Sequence, residues 1–242
     1  MDTLIYNIGE LATYNPDTKA VMKYQHAAIE IHDRKIRQIF SGEDTPDYRN
    51  YDVAVDANGR LVTPGFVDAH THPVFAETRE DEFEMRVQGM SYQEIAEKGG
   101  GILNSARRLR RLSREGIASR VRERLEQLIA HGTTTLEAKS GYGLNTEYEL
   151  LSLEILAQMK RQVPAEIVST FMGAHEFPDE YRANREGYLD LICTEMIPQV
   201  ADRTLAEFCD VFCEAGVLTV DESRRILETA RNHGFKLTIH SD

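Results

Sequence analysis

The sequence predicts an α/β architecture: about five units of an eight-unit (β/α)8 barrel, preceded by a small β layer. Three observations carry this prediction. From Phe66 onward, short β-branched or apolar runs alternate with helical patterns, as a parallel sheet with right-handed crossovers requires. Strand starts fall near residues 66, 133, 166, 209 and 236, so the chain reads as ending inside or just after its fifth unit. Polar side chains gather where those strands end, the rim that carries the active site in barrels of this kind.

Residues 1–60 read as strands and turns. Ala27 to His32 alternates polar and apolar, Asp33-Arg34-Lys35 turns, and Ile36 to Phe40 resumes the alternation. Asn15-Pro16 and Thr45-Pro46 are further turn signals, and Tyr51 to Val55 is another candidate strand. Residues 61–242 then form the barrel portion. Leu61 to His72 opens it, with a Pro64-Gly65 turn feeding Phe66 and Val67. Helices are expected over Ser91–Lys98, Ile102–Leu112 and Arg114–Ala130, the last with Val121, Leu125, Leu128 and Ile129 at helical spacing. Gly132 is the residue type expected just past that helix end. Thr133 to Ala138 is a strand, and Thr146 with Glu149 reads as a capping box opening a helix to about Arg161. Glu166–Met172, Cys209–Cys213 and Phe235–His240 are the remaining strands, with helices near Tyr188–Met196 and Glu222–Asn232.

Bulk properties exclude several function classes. The 242 residues are 41% hydrophobic and 28% charged, an ordinary globular balance. A formal charge of −12 argues against a nucleic-acid binder, which needs a basic surface. No apolar run approaches the roughly 18–20 residues of a membrane span, and the first residues lack a signal peptide's basic start and apolar run. Three cysteines, an odd number, suit a reducing compartment. Cys209 and Cys213 could face one way from a strand, but no second pair completes a thiolate site, so buried unreactive thiols are the better reading.

The candidate chemistry sits at strand ends. In a strand, residues two apart share a face, so Asp68, His70 and His72 look the same way and two imidazoles can converge on one ion. Lys139-Ser140-Gly141-Tyr142 follows the second strand, Gly173-Ala174-His175 the third, Glu214 the fourth, and His240 ends the fifth. Each has a plainer reading: a surface His-x-His pair, a loop histidine at His175, a hydrogen-bonded core histidine at His240, a solvated charge at Arg79. Tyr142 lies between two glycines, which suggests close backbone approach. Lys139 is either a carbamylated bridge between two metals or an ordinary partner of Glu137. Arg107 to Arg111 reads as a solvated helix face.

Pro64-Gly-Phe-Val-Asp-Ala-His-Thr-His72 resembles the first-strand signature of the amidohydrolase superfamily. The blocks Phe83–Tyr92, Gly99–Ile102, Gly132–Thr135, Lys139–Gly143 and Ser169–His175 narrow the likeness to the imidazolonepropionase family, over about the first three-fifths of such chains. That resemblance implies an amidohydrolase-type barrel with the N-terminal layer as half of a small composite β-sandwich. It implies a cytoplasmic, metal-dependent hydrolase of 4-imidazolone-5-propanoate that acts in histidine degradation and yields N-formimidoyl-L-glutamate. His70, His72 and His240 would hold one zinc or iron ion. Arg79, Tyr142, His175 and Tyr92 would hold substrate, and a metal-bound water would attack. Lys139 would then not be a carbamate bridge. The family's acid–base Glu and Asp would lie beyond Asp242, so the chain alone is expected to be inactive. A small-molecule substrate is the partner implied, with no nucleic acid and no membrane, and a homodimer is compatible. Two other readings stay open: a purine or pyrimidine deaminase on the same fold, and a non-catalytic barrel that binds a metal or a carboxylate.

Overall fold

The computed structural model describes residues 1–91, 94–95 and 100–241. It divides into two compact units, Met1–Gly65 and Phe66–Asp242.

The first unit is a β layer ordered β3-β2-β1-β4, with β5 also on β1. Its strands are β1 (Asp2–Asn15), β2 (Ala20–His32), β3 (Lys35–Ser41), β4 (Val53–Asp56) and β5 (Leu61–Val62). The β2–β3 turn has both Asp33 and Arg34 at positive φ, 47° and 64°, the backbone that matches strand twist in a two-residue hairpin. The first two strands are longer than the sequence pattern suggests. A register shift between Ile5 and Ile8, with Asn7 at φ 54°, breaks the alternation of β1 and hides its continuity. Ile8, Leu11, Ala27 and Ile29 form the core of this layer.

The second unit holds β6 (Phe66–Thr71), β7 (Thr133–Lys139), β8 (Glu166–Ala174), β9 (Phe208–Val211) and β10 (Lys236–Leu237). They form one parallel sheet ordered β10-β9-β8-β7-β6, each strand beside its predecessor, which is the arc of a (β/α) barrel. Its helices are α1 (Glu80–Val87), α2 (Gly101–Leu109), α3 (Arg114–Ala130), α4 (Thr146–Met159), α5 (Arg185–Leu191), α6 (Ile197–Asp202) and α7 (Val220–Asn232). The helix expected over 91–98 falls largely outside the described residues. The single helix expected near Tyr188–Met196 is α5 and α6 joined by a π turn, Ile192–Met196. The last strand is shorter than expected, but its pairing continues: Thr238 N donates to Cys209 O and His240 N to Val211 O, at 3.0 and 2.9 Å.

Local chemistry explains the helix starts. Ser113 caps α3 by accepting from Gly116 N, and Thr219 with Glu222 forms a complete capping box on α7. The box expected on α4 does not form. Asn145 is the cap, accepting from Tyr148 N, and the carboxylate of Glu149 is turned away into the protein. A side chain one turn into the helix with stronger donors in reach does not fold back on its own cap. The core of the unit collects Leu136, Ala138, Ile167, Phe171, Cys209 and Val211 from the strands. Val121 and Leu125 from α3 and Leu153 and Leu156 from α4 join them. Leu153→Ala should lower stability by about 2–5 kcal/mol, whereas Val87→Ala on an exposed face should be near neutral. Equal urea midpoints for the two variants would contradict this packing.

Candidate functional site

Five strand ends deliver rings to one place. His70 and His72 come from the end of β6, Tyr142 from the loop after β7, His175 from just past β8, Phe212 from just past β9, and His240 from beyond β10. His70 lies 5.4 Å, centroid to centroid, from both His72 and His240. His72 stacks on His175 at 5.0 Å, and Tyr142 is 5.6 Å from His72 and 5.1 Å from His175. Phe212 closes the cluster, 5.0 Å from His240 and 6.2 Å from His175. Arg79 joins at the edge, where its Nη2 donates to Tyr142 Oη at 3.4 Å and its Nη1 lies 3.5 Å from Glu82. Asp68 does not reach a ring; its Oδ1 accepts from His70 N at 3.3 Å. Tyr92 lies outside the described residues.

Burial favours the neutral imidazoles of His72 and His175. Burial, reinforced by His175, His70 and Lys139, depresses the His72 pKa to about 3. Burial also holds His175 down, to about 4. Its Nδ1 bonds Gly141 O at 2.8 Å and must donate there, since a carbonyl only accepts, which leaves Nε2 with the lone pair. Desolvation raises the Tyr142 pKa, so the phenol keeps its proton.

The donor set suits a transition-metal ion. Two imidazoles on one tetrahedral ion, at about 2.1 Å per bond, would have centroids about 5 Å apart, close to the two His70 separations. His72 Nδ1 is buried with no hydrogen-bond partner among the described residues, as a displaced ligand atom would be. No group of three or more His, Cys, Asp or Glu side chains among the described residues stands in a ready-made metal arrangement.

Lys139 is 2% exposed and is held by two carboxylates, Glu137 Oε1 and Asp210 Oδ2, each at 2.7 Å. These are the partners of an ordinary ammonium. Thr170 Oγ1 donates to Glu137 at 2.6 Å and Val211 N to Asp210 at 2.9 Å. Arg124 is a further cation near the site. It stacks 3.4 Å over Phe75 and donates to the carbonyls of Pro73, Phe75 and Ala76, securing the segment that follows His72. Asp210, Phe212 and Arg124 have no place in the site expected from the sequence, and Glu149 is expected there only as a capping residue. Asp210 alone carried a signal, a charge inside an apolar run. The thiols follow expectation in part: Cys209 is buried and its pKa pushed up by desolvation, while Cys213 is half-buried beyond the end of β9.

Two outcomes test this geometry. Folding lowers the His175 pKa from 6.5 to about 4, so the unfolded chain takes up the proton first. Its contribution is complete above pH 6.5 and is lost as pH falls toward 4. His175→Gln should therefore flatten the pH dependence of stability over that window, by roughly 3 kcal/mol at its acid end; an unchanged slope in urea titrations would refute the assignment. Lys139→Met strands a buried carboxylate and should cost about 3–5 kcal/mol; a loss below 1 kcal/mol would mean the ion pairs are solvated.

No protein-family model matches the chain. Sequences of imidazolonepropionases align with it from end to end. The one from Alkaliphilus oremlandii is 41% identical over 252 residues, spanning 100% of this chain and 60% of that relative. The Fusobacterium nucleatum protein is 44% identical over 248 residues, with the same two coverages. The chain thus spans about three-fifths of the length of these relatives. Among solved structures, 5-methylcytosine deaminase from Klebsiella pneumoniae superimposes with a TM-score of 0.66, at 18% identity, covering 98% of this chain and 51% of that one. The atrazine chlorohydrolase of Arthrobacter aurescens, in a complex with zinc, gives 0.62 at 14% identity over 98% of this chain and 52% of its own. At those identities the structures speak to the fold alone.

Proposed function

We propose that this chain is the larger part of an imidazolonepropionase, a cytoplasmic hydrolase that opens the cyclic amide of 4-imidazolone-5-propanoate to N-formimidoyl-L-glutamate. The observation that carries the reading is the gathering of His70, His72, His175, His240 and Tyr142 at parallel strand ends, with Arg79 on the phenol. Sequence likeness to imidazolonepropionases along the whole chain supports it. His70, His72 and His240 would hold the metal, zinc or iron. Such an ion acidifies water and polarises the amide carbonyl, which an unactivated ring amide needs at neutral pH.

The remaining residues bind and orient. Arg79 offers a planar fork that suits the propanoate carboxylate, and it is already directed to Tyr142. Tyr142, protonated, donates a hydrogen bond. His175, with Nδ1 committed to Gly141 O, keeps its Nε2 lone pair to accept a hydrogen bond from the substrate. Tyr92 is proposed as a further substrate contact. A carboxylate-binding arginine beside the rings favours this substrate over an uncharged purine or pyrimidine, the case for a deaminase.

The test is turnover of 4-imidazolone-5-propanoate by the full-length protein that carries this chain, supplied with zinc or iron. The product should be heavier by one water, and the ring absorbance should disappear. Arg79→Ala should raise KM about 10-fold or more with a smaller effect on kcat. His70→Ala should abolish turnover and lower metal content with the fold retained. No turnover with either metal would end the proposal.

A further inference from the structure

Glu149 is a strongly built feature that neither the metal nor the substrate reading uses. It lies on α4, is fully buried, and has no cation against it among the described residues. Burial raises its pKa, and hydrogen-bond donors oppose that rise. A carboxylate in such a place is tolerated only where donors replace its water. All of those donors come from the loop after β7. Oε1 accepts from Gly143 N at 2.7 Å and Leu144 N at 2.9 Å, and the two oxygens share Gly141 N at 3.2 and 3.1 Å. The Ser140 hydroxyl also bonds to it, while its oxygen accepts from Met172 N on β8 at 2.9 Å.

The same loop is held from its carbonyl side. Gly141 O accepts a hydrogen bond from His175 Nδ1–H, and Gly143 O accepts from Arg110 Nε at 2.6 Å. The backbone on both sides of Tyr142 is therefore fixed by named partners. Within that loop it is the Tyr142 side chain that meets His72, His175 and Arg79. Gly143 also packs too tightly for any side chain: a Cβ there would lie 2.5 Å from Glu149 N.

We propose that Glu149 is a positioning residue of the site, gripping the peptide on either side of Tyr142 so that the phenol stands between Arg79 and the two imidazoles before substrate arrives. The proposal rests on Tyr142 being a substrate contact, and its test separates the two ideas. Glu149→Gln keeps size and one acceptor oxygen but turns the other into a donor facing Gly141 N–H.

Two measurements on the full-length protein decide it. By hydrogen exchange, amides 141–144 should lose protection by about 10-fold or more in Glu149→Gln, with the strands of the sheet unchanged. In steady-state kinetics, Glu149→Gln should raise KM for 4-imidazolone-5-propanoate about 10-fold in wild type but less than about 2-fold in a Tyr142→Phe background. Equal effects in both backgrounds would make Glu149 a stability residue only, and unchanged exchange would remove the grip itself. Either result overturns the proposal. If the wild-type protein does not turn this substrate over, the functional reading falls. The exchange comparison, with the shift of the Tyr142 ring resonances in Glu149→Gln, then decides the positioning role alone. Should the Gln variant fail to fold, Glu149→Asp, which keeps the charge but withdraws it by one methylene, is put through the same comparisons with the same deciding results.

Discussion

An ammonium ion buried in a protein must bring its counter-charges with it, and the second unit is arranged around that requirement. Lys139 leaves β7, passes Thr170 on β8, and ends on Asp210 of β9, with Glu137 as its second partner. One nitrogen thereby ties β7 to β9, and Thr170 of β8 joins them by donating to Glu137. A slip of one residue in β7 or β9 would turn a charge to the opposite face and leave its partner unpaired in the core. Register that hydrophobic packing alone would allow to drift is fixed by charge.

Fixed register matters because the site has no element of its own. The rings arrive from five strand ends, and a one-residue error on β8 or β9 would carry His175 or Phe212 away from the cluster. Helices on the outside reinforce the same ends. Arg124 of α3 reaches over to the carbonyls behind His72, and Arg110 to the loop behind Tyr142. Packing, ion pairing and outer clamps act on the same few residues.

Much of this was legible from residues alone. The five barrel strands, α3 to the residue, and the grouping of His70, His72, Tyr142, His175 and His240 at strand ends all follow from alternation, caps and spacing. What escaped was whatever depends on a distant partner. Glu149 has the spacing of a capping-box residue, and only the folded loop above it supplies the donors that draw it inward. Phe212 looks like part of an apolar run until His240 is beside it, and Asp210 is an unexplained charge in that run until Lys139 meets it. Strand β1 was lost to its own bulge, where a two-residue rhythm breaks without the strand ending. Local signals name elements well; they do not say which buried polar groups will meet.

The loop that carries Tyr142 has a bearing on how such a site could change over generations. Gly141 sits at φ 106°, and a Cβ there would lie 2.9 Å from His175 Nδ1 and 3.0 Å from Met172 O. Gly143 is equally closed. A side chain at Gly141 would strike His175, and one at Gly143 would strike Glu149, before either altered recognition, so those two sites offer no gradual path to new ligands. The phenol between them is different, because its side chain can be exchanged while the peptide beneath stays where it is. Diversification of this pocket would run through that single position, with its neighbours acting as a frozen mount.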